Sequence, residues 1–221
     1  MAQRNRSFAV IGLGRFGSKI ARELVAYGNH VIGIDENERL VSAIADSLTE
    51  AVIADARDES ALREAGIGGY DAAILAIGAN LEASILCLMN LKNMGITDIT
   101  VKAYNSQHQR IMQALGATDI VIPEEDAGEH IAQRLHNSAI QDFMEICEGN
   151  YVALVQANRG CMGKTLQDLN FGQKLDVQCL GIMRHNTFIN PATHQEKILA
   201  AGDKLLVQGS RAAIRNFADA R

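Results

Sequence analysis

The chain has 221 residues, a length that fits one large domain or one ordinary domain followed by a small one. Apolar residues make up 48% and charged residues 21%, which is typical of a globular protein and excludes a disordered chain. Aromatic residues are only 5% and the net charge is −5, so a general nucleic-acid-binding protein is disfavoured. The charge is uneven: residues 1–150 carry 12 basic and 21 acidic side chains, and residues 151–221 carry 9 and 5. This asymmetry predicts that the two parts of the chain contact different partners.

Predicted strands and helices alternate strictly over the first 125 residues. The strands are apolar and β-branched and cover 8–12, 30–34, 50–54, 71–77, 98–103 and 119–122. The helices between them cover 15–27, 38–47, 59–65, 81–94 and 106–115. Six strands with helices between them predict an α/β fold, a Rossmann-like doubly wound parallel sheet, over residues 1–126.

A connecting helix is predicted over residues 127–149. Asp126 is placed as its N-cap with Glu129 three positions later, the carboxylate version of a capping box. The helix has one broad apolar face, formed by Ile131, Leu135, Ile140, Phe143 and Cys147.

Residues 150–221 have a different pattern, which predicts a small α+β domain. Its strands are expected at 151–157, 177–185 and 204–208, with helices at 165–169 and 211–218.

The four cysteines are Cys87, Cys147, Cys161 and Cys179; they form no C-x-x-C pair and have no histidine at a ligand spacing, so a zinc site is disfavoured. Two of them lie in apolar segments, which favours reduced core thiols and a cytoplasmic protein. The N-terminus has no apolar signal segment, and no stretch reaches the ~18 apolar residues that a membrane-spanning helix needs. We therefore expect a cytoplasmic protein that does not itself form a membrane pore.

A glycine-rich motif, G-x-G-x-x-G, joins the first predicted strand to the first helix. It spans residues 12–17, and its candidate binding residues are Gly12, Gly14, Arg15, Phe16 and Gly17. Asp35 ends the next strand, which completes the fingerprint of a dinucleotide-binding Rossmann domain. The glycines let phosphates approach the amides at the helix N-terminus, and Asp35 can accept hydrogen bonds from ribose hydroxyls. NAD, ADP and ATP all fit this pattern; Arg15 either favours a phosphate-rich ligand or is a solvated surface residue.

Three classes of function are compatible with a nucleotide site. An oxidoreductase needs a substrate cavity and a positioned acid or base, but only the 71 residues 151–221 remain beyond the connecting helix and its boundary at Asn150, and no Tyr-x-x-x-Lys pair is present. A small NAD(P)-dependent oxidoreductase or redox sensor therefore remains the alternative to a regulatory protein that is not an enzyme. A transcriptional corepressor is disfavoured because no helix-turn-helix segment is visible.

Further motifs resemble those of the RCK family, the regulators of potassium conductance. They are Ala76-Ile77-Gly78-Ala79-Asn80, Val101-Lys102-Ala103, Leu115-Gly116-Ala117-Thr118-Asp119, Ile122-Pro123-Glu124 and Gly202-Asp203-Lys204-Leu205-Leu206-Val207-Gln208-Gly209. Within that family, the chain is similar to the cytosolic nucleotide-binding subunits of Ktr- and Trk-type potassium uptake systems. The resemblance implies dimers that assemble into an octameric gating ring. The ring would dock under a potassium-translocating membrane subunit, at the inner face of the plasma membrane.

The same resemblance implies that ATP and ADP bind, with NAD(H) as an open alternative. Carried over position by position, the nucleotide-binding residues are Gly12, Gly14, Arg15, Phe16, Gly17, Asp35, Asn37, Asp55, Ile77, Gly78, Ala79, Lys102, His108 and Glu124. Glu124 is also expected to share a divalent cation, Mg²⁺ or Ca²⁺, with the nucleotide across a subunit interface. Cyclic di-AMP, which binds the C-terminal lobe of some relatives, is disfavoured because residues 170–174 contain no arginine.

Four of these residues can also be interpreted without the resemblance. Asp55 follows the third strand, where it can meet an adenine amino group or cap the next helix. Lys102 ends an apolar strand, so its charge must find an anion or reach solvent. His108 is a ligand contact or an exposed helical histidine. Glu124 begins the connecting helix, where the helix dipole favours acids with or without a metal.

Overall fold

The computed structural model describes residues 5–78, 80–171, 176–194 and 196–219. They form two compact units, one ending at Glu124 and one beginning at Glu125. No helix within these ranges is long and apolar enough to cross a membrane.

The N-terminal unit alternates strands and helices as predicted. Its strands are β1 (Ser7–Ile11), β2 (His30–Asp35), β3 (Glu50–Ile53), β4 (Ala72–Leu75), β5 (Ile99–Lys102) and β6 (Asp119–Val121). Its helices are α1 (Arg15–Ala26), α2 (Glu38–Ser42), α3 (Glu59–Glu64), α4 (Leu81–Asn93) and α5 (Ser106–Ala114). The helix predicted over 38–47 is split, because α2 ends at Ser42 and a short 3-10 turn follows at Ala45–Ser47.

The six strands form one parallel sheet in the order β3-β2-β1-β4-β5-β6. Helices cover both of its faces, so β1 and β4 are almost continuously apolar, as buried parallel strands are. Strand order reverses between β1 and β4, and in such sheets ligands bind outside the carboxyl ends of the strands at this point. The predicted Rossmann-like architecture is confirmed.

The second unit is built on an antiparallel sheet in the order β10-β9-β11-β8-β7. Its strands are β7 (Ile140–Cys147), β8 (Asn150–Gln156), β9 (Val177–Arg184), β10 (Thr187–Ile189) and β11 (Lys204–Gly209). Its helices are α7 (Leu166–Leu169) and α8 (Arg211–Asp219), and the connecting helix α6 (Pro123–His136) runs into it from the first unit. The sheet and α8 enclose one apolar core, which includes Cys161. The small α+β domain is confirmed, with β7 and β10 as additional strands.

The helix predicted over residues 127–149 is wrong in its second half. It begins earlier, at Pro123, so Asp126 lies inside the helix and is not its N-cap. It also ends at His136, and Ile140–Cys147 form an edge strand. A register shift between Ile140 and Asp142 inserts one residue into this strand, so Ile140 and Phe143 reach the same core three positions apart. Apolar residues three positions apart are also typical of one face of a helix, and this is why the sequence predicted a helix here.

Candidate functional site

A cavity of about 610 Å³ lies at the carboxyl ends of the parallel strands, entirely within the N-terminal unit. Ten of the predicted nucleotide-binding residues line it: Gly12, Gly14, Arg15, Phe16, Asp35, Asp55, Ile77, Gly78, Lys102 and Glu124. They come from the carboxyl ends of β1, β2, β3, β4 and β5 or the loops just after them, and from the first turns of α1 and α6. The parallel topology thus brings together residues that are more than a hundred positions apart in sequence.

The glycine loop follows β1 with the geometry that its sequence predicts. Gly12 has φ +92°, and a Cβ there would lie 2.7 Å from the backbone carbonyl of Ala76. A Cβ on Gly17 would lie 1.9 Å from the carbonyl oxygen of Gly12, so α1 and the loop can pack together only through glycine. Gly14 is the N-cap of α1, and apart from its two chain neighbours no heavy atom of the described residues lies within 4 Å of the place where its Cβ would be. The space above the N-terminal amides of α1 is therefore open to an anionic ligand.

Asp35 ties the end of β2 to the glycine loop. Its Oδ2 accepts a hydrogen bond of 2.7 Å from the backbone N–H of Leu13, and its Oδ1 accepts one of 2.8 Å from the N–H of Asn37. Each carboxylate oxygen has two acceptor positions, so Asp35 can still accept from ribose hydroxyls. The Asn37 side chain caps α2 by accepting from the N–H of Arg39, and it does not line the cavity.

Asp55 forms a paired contact with Arg57, a cavity residue that the sequence analysis missed. Arg57 donates from Nε to Oδ1 at 2.8 Å and from Nη2 to Oδ2 at 2.7 Å. These bonds lower the pKa of Asp55 below its ordinary value. The signal was present in the sequence as an arginine two positions after a strand-end carboxylate. Glu36 was missed as well; it also lines the cavity, and its Oε2 lies 3.4 Å from Nη2 of Arg57.

Lys102 and Glu124 pair on another wall of the cavity. The ammonium of Lys102, whose side chain is only 17% exposed, donates to Oε1 of Glu124 at 2.6 Å. It also lies 5.6 Å from the centre of the Phe16 ring. Lys102 lowers the pKa of Glu124 through this hydrogen bond. In the described ranges, no group of three or more His, Cys, Asp or Glu side chains is placed to hold a metal ion by itself.

The structure does not bring every predicted site residue to the cavity. His108 is 1% exposed, packs on the Tyr104 ring at 4.7 Å and does not line the cavity. Neither of its ring nitrogens has a hydrogen-bond partner in the described part of the chain, and burial lowers its pKa. Gly17 acts through packing, and Ala79 lies outside the described residues.

Two families of domains match the chain. Residues 8–123 match the TrkA-N domain and residues 151–220 match the TrkA-C domain. The chain is also 37% identical to the Ktr system potassium uptake protein A of Bacillus subtilis (strain 168), over 97% of this chain and 96% of that protein. The chain belongs to the Ktr and Trk family of potassium uptake proteins. The resemblance to the RCK family is thereby confirmed.

Solved structures share the fold of this Ktr/Trk family member. The crystal structure of the GsuK RCK domain matches 98% of the chain with a TM-score of 0.68 at 12% identity. The GsuK channel bound to NAD matches 98% of the chain with a TM-score of 0.67 at 13% identity. The matches cover 47% and 39% of those longer chains. The RCK fold, with its Rossmann-like sheet and its smaller second sheet, is thus common to all three.

Proposed function

We propose that this chain is the nucleotide-binding regulatory subunit of a potassium uptake system. It binds ATP and ADP in the N-terminal cavity and controls a potassium-translocating membrane subunit, with no bond broken. The observation that carries the proposal is the cavity itself, in which a glycine loop, Asp35 and Lys102 meet in a member of a potassium uptake family. The glycine loop would bind the phosphates, Asp35 the ribose, and Arg15 and Lys102 the added phosphate charge.

NAD(H) is the other nucleotide that this cavity suits. A channel of the same fold has been solved bound to NAD, and Asp35 accepts a dinucleotide ribose as readily as that of ATP. The short second unit argues against an oxidoreductase, because its core is filled by its own sheet and α8.

A divalent cation fits the cavity when a nucleotide supplies further oxygen ligands. Glu124 is 66% exposed and offers one carboxylate at the cavity wall. Mg²⁺ is commonly held by one or two carboxylates together with phosphates. Glu124 would therefore hold Mg²⁺ or Ca²⁺ on the phosphates, and its carboxylate would have to leave Lys102.

The protein is proposed to work as dimers assembled into an octameric ring, on the cytoplasmic side of the membrane. Ile131 and Leu135 on α6 are 54% and 81% exposed, and apolar side chains this exposed favour burial against another subunit. Ile140 and Phe143, once expected on the same helix face, belong to the core of the second unit. Leu135→Glu should therefore lower the mass seen by light scattering while circular dichroism still shows a folded chain. Tyr27→Glu, on an equally exposed aromatic of the first unit, is the control.

Titration calorimetry with ATP, ADP, NADH and cyclic di-AMP tests the ligand assignment. The proposal predicts binding of ATP and ADP and no binding of cyclic di-AMP. A parallel assay of hydride transfer from NADH to a panel of carbonyl compounds distinguishes the regulatory function from the alternative, an oxidoreductase. Turnover of NADH would establish an oxidoreductase, whereas regulation predicts binding without turnover.

A further inference from the structure

The backbone of Leu13, inside the glycine loop, is held at both of its polar groups. Its N–H donates to Oδ2 of Asp35 at 2.7 Å, and its carbonyl oxygen accepts a hydrogen bond of 2.6 Å from the hydroxyl of Ser18 on α1. The Leu13 side chain is 1% exposed and packs in the core beside α1. Leu13 therefore has one fixed place in the loop.

The carbonyl of Leu13 lies just before the hydrogen bonds of α1 begin. At the start of this helix, the N–H of Ser18 donates to the carbonyl oxygen of Gly14 at 2.9 Å. Within the described part of the chain, no backbone N–H donates to the carbonyl of Leu13, and its partner is the Ser18 hydroxyl. Without that hydroxyl the carbonyl could turn toward the cavity, where its partial negative charge would repel a phosphate.

The same hydrogen bond sets the direction of the Gly14 N–H. The peptide between Leu13 and Gly14 is trans, so its C=O and its N–H point in opposite directions. Gly14 lines the cavity, whereas neither Leu13 nor Ser18 is among the described residues that line it. A carbonyl held toward Ser18 therefore leaves the N–H of Gly14 turned toward the cavity. This N–H has no hydrogen-bond partner among the described residues.

An N–H of the loop that faces the cavity adds a donor to those at the N-terminus of α1, where anions bind. We propose that Ser18 is a positioning residue for phosphate binding. Its hydroxyl holds the peptide between Leu13 and Gly14 so that the loop presents an N–H, and no carbonyl oxygen, to the phosphates. The inference rests on the nucleotide binding proposed above. Because Ser18 contacts the loop and does not line the cavity, its effect is confined to the phosphates and does not extend to the ribose or the base.

Ser18→Ala tests the assignment, and α1 should stay folded because alanine favours a helix more than serine does. We expect ADP to bind about five- to twentyfold more weakly to this variant, which is part of the range of one hydrogen bond to a charged group. Adenosine has no phosphate, so its affinity should stay within about twofold of that for the unmodified protein. Calorimetry measures the affinity for ADP, and competition against a fluorescent ADP analogue measures that for adenosine.

Two further variants separate the hydroxyl from other effects of the substitution. Ser18→Thr keeps a hydroxyl at the same position, so it should retain most of the affinity for ADP. Ser60→Ala is the matched control, because Oγ of Ser60 donates to Oδ1 of Asp58 at 2.6 Å near the start of α3, away from the cavity lining. This control should change the affinity for neither ADP nor adenosine.

Hydrogen exchange in the unmodified protein gives a measurement that does not depend on how a variant folds. Overlapping peptides across residues 12–17 should show that ADP slows exchange of the Gly14 amide and that adenosine does not. No protection of this amide by ADP would overturn the inference and leave the proposed function intact. An unchanged affinity for ADP in Ser18→Ala, or equal losses for ADP and adenosine, would do the same. Failure of ADP to bind the unmodified protein at all would overturn both.

Discussion

The ammonium of Lys102 donates a 2.6 Å hydrogen bond to Glu124, joining the last residue of β5 to the first turn of α6. Lys102 is mostly buried and Glu124 is mostly exposed. Each of them has a second proposed partner, the phosphates for Lys102 and a divalent cation for Glu124. Binding of a nucleotide with its cation therefore competes with this ion pair.

Glu124→Gln should separate these two roles. Without the carboxylate, Lys102 is free for phosphate, so ATP should bind about two- to fivefold more tightly in EDTA, the range of one partly exposed ion pair. The gain in ATP affinity on adding Mg²⁺ should disappear. Calorimetry in EDTA and in Mg²⁺ measures both effects, with Glu125→Gln as the control at the next acid of α6. If Mg²⁺ raises the ATP affinity of Glu124→Gln as much as that of the unmodified protein, the Glu124 carboxylate holds no cation.

Two glycine substitutions in the same loop should differ in how strongly they affect folding. Gly14→Val places its side chain in open space but puts a poorer residue at the N-cap of α1, so the protein should fold with at most a small loss of thermal stability and should lose ATP and ADP binding. Gly12→Ala meets the backbone at Ala76 and a φ of +92°, so it should destabilise the N-terminal unit by about 1–3 kcal/mol or more. Thermal melting and calorimetry on both variants check this. Retained ADP binding in Gly14→Val would place the phosphates elsewhere.

Arg15 should distinguish ATP from ADP. It is exposed at the N-terminus of α1 and lines the cavity, and each further phosphate charge strengthens its interaction with the ligand. Arg15→Ala is expected to weaken ATP about tenfold and ADP by clearly less. Lys19→Ala, which removes a cation one turn further along α1, should change neither affinity. Equal losses for ATP and ADP would place Arg15 outside the reach of the γ-phosphate.

The sequence predicted the parts of the molecule that local chemistry determines. Gly12 and Gly17 are required by single close contacts, so their spacing alone indicated the loop and its position. The strand after α6 was missed because an inserted residue hides the alternation of Ile140 and Phe143. Arg57 pairs locally with Asp55, but the support of its loop was not predictable, because Asn90 donates to the backbone oxygen of Arg57 from a helix thirty-three positions away.

Asp203 should make the second unit sensitive to acid. It is 1% exposed and accepts two hydrogen bonds from Arg184, which lower its pKa below the ordinary value of 3.8. Because the pKa of Asp203 is lower in the folded protein than in the unfolded chain, its charge stabilises the fold fully above pH 3.8. This stabilisation is lost as the pH falls through the pKa of the folded state. At pH 7, Asp203→Asn should cost about 1–3 kcal/mol, because it removes the charge partner of Arg184, whose side chain is 25% exposed.

Urea unfolding of the full chain at several pH values measures this contribution. The difference in the free energy of unfolding between the unmodified protein and Asp203→Asn should become smaller below pH 3.8. Asp98→Asn, which breaks an exposed pair with Arg6, should have little effect at any pH. If the difference in the free energy of unfolding stays constant down to low pH, Asp203 stabilises the fold by packing and not by its charge.

Potassium flux through a reconstituted membrane subunit tests the central claim most directly. Proteoliposomes would carry the potassium-translocating subunit, with this chain added outside in saturating ATP or ADP. The account predicts that the flux differs between ATP and ADP with the unmodified chain, and that Gly14→Val removes this difference. The same flux in ATP, in ADP and without nucleotide, from a chain that binds both nucleotides, would contradict it.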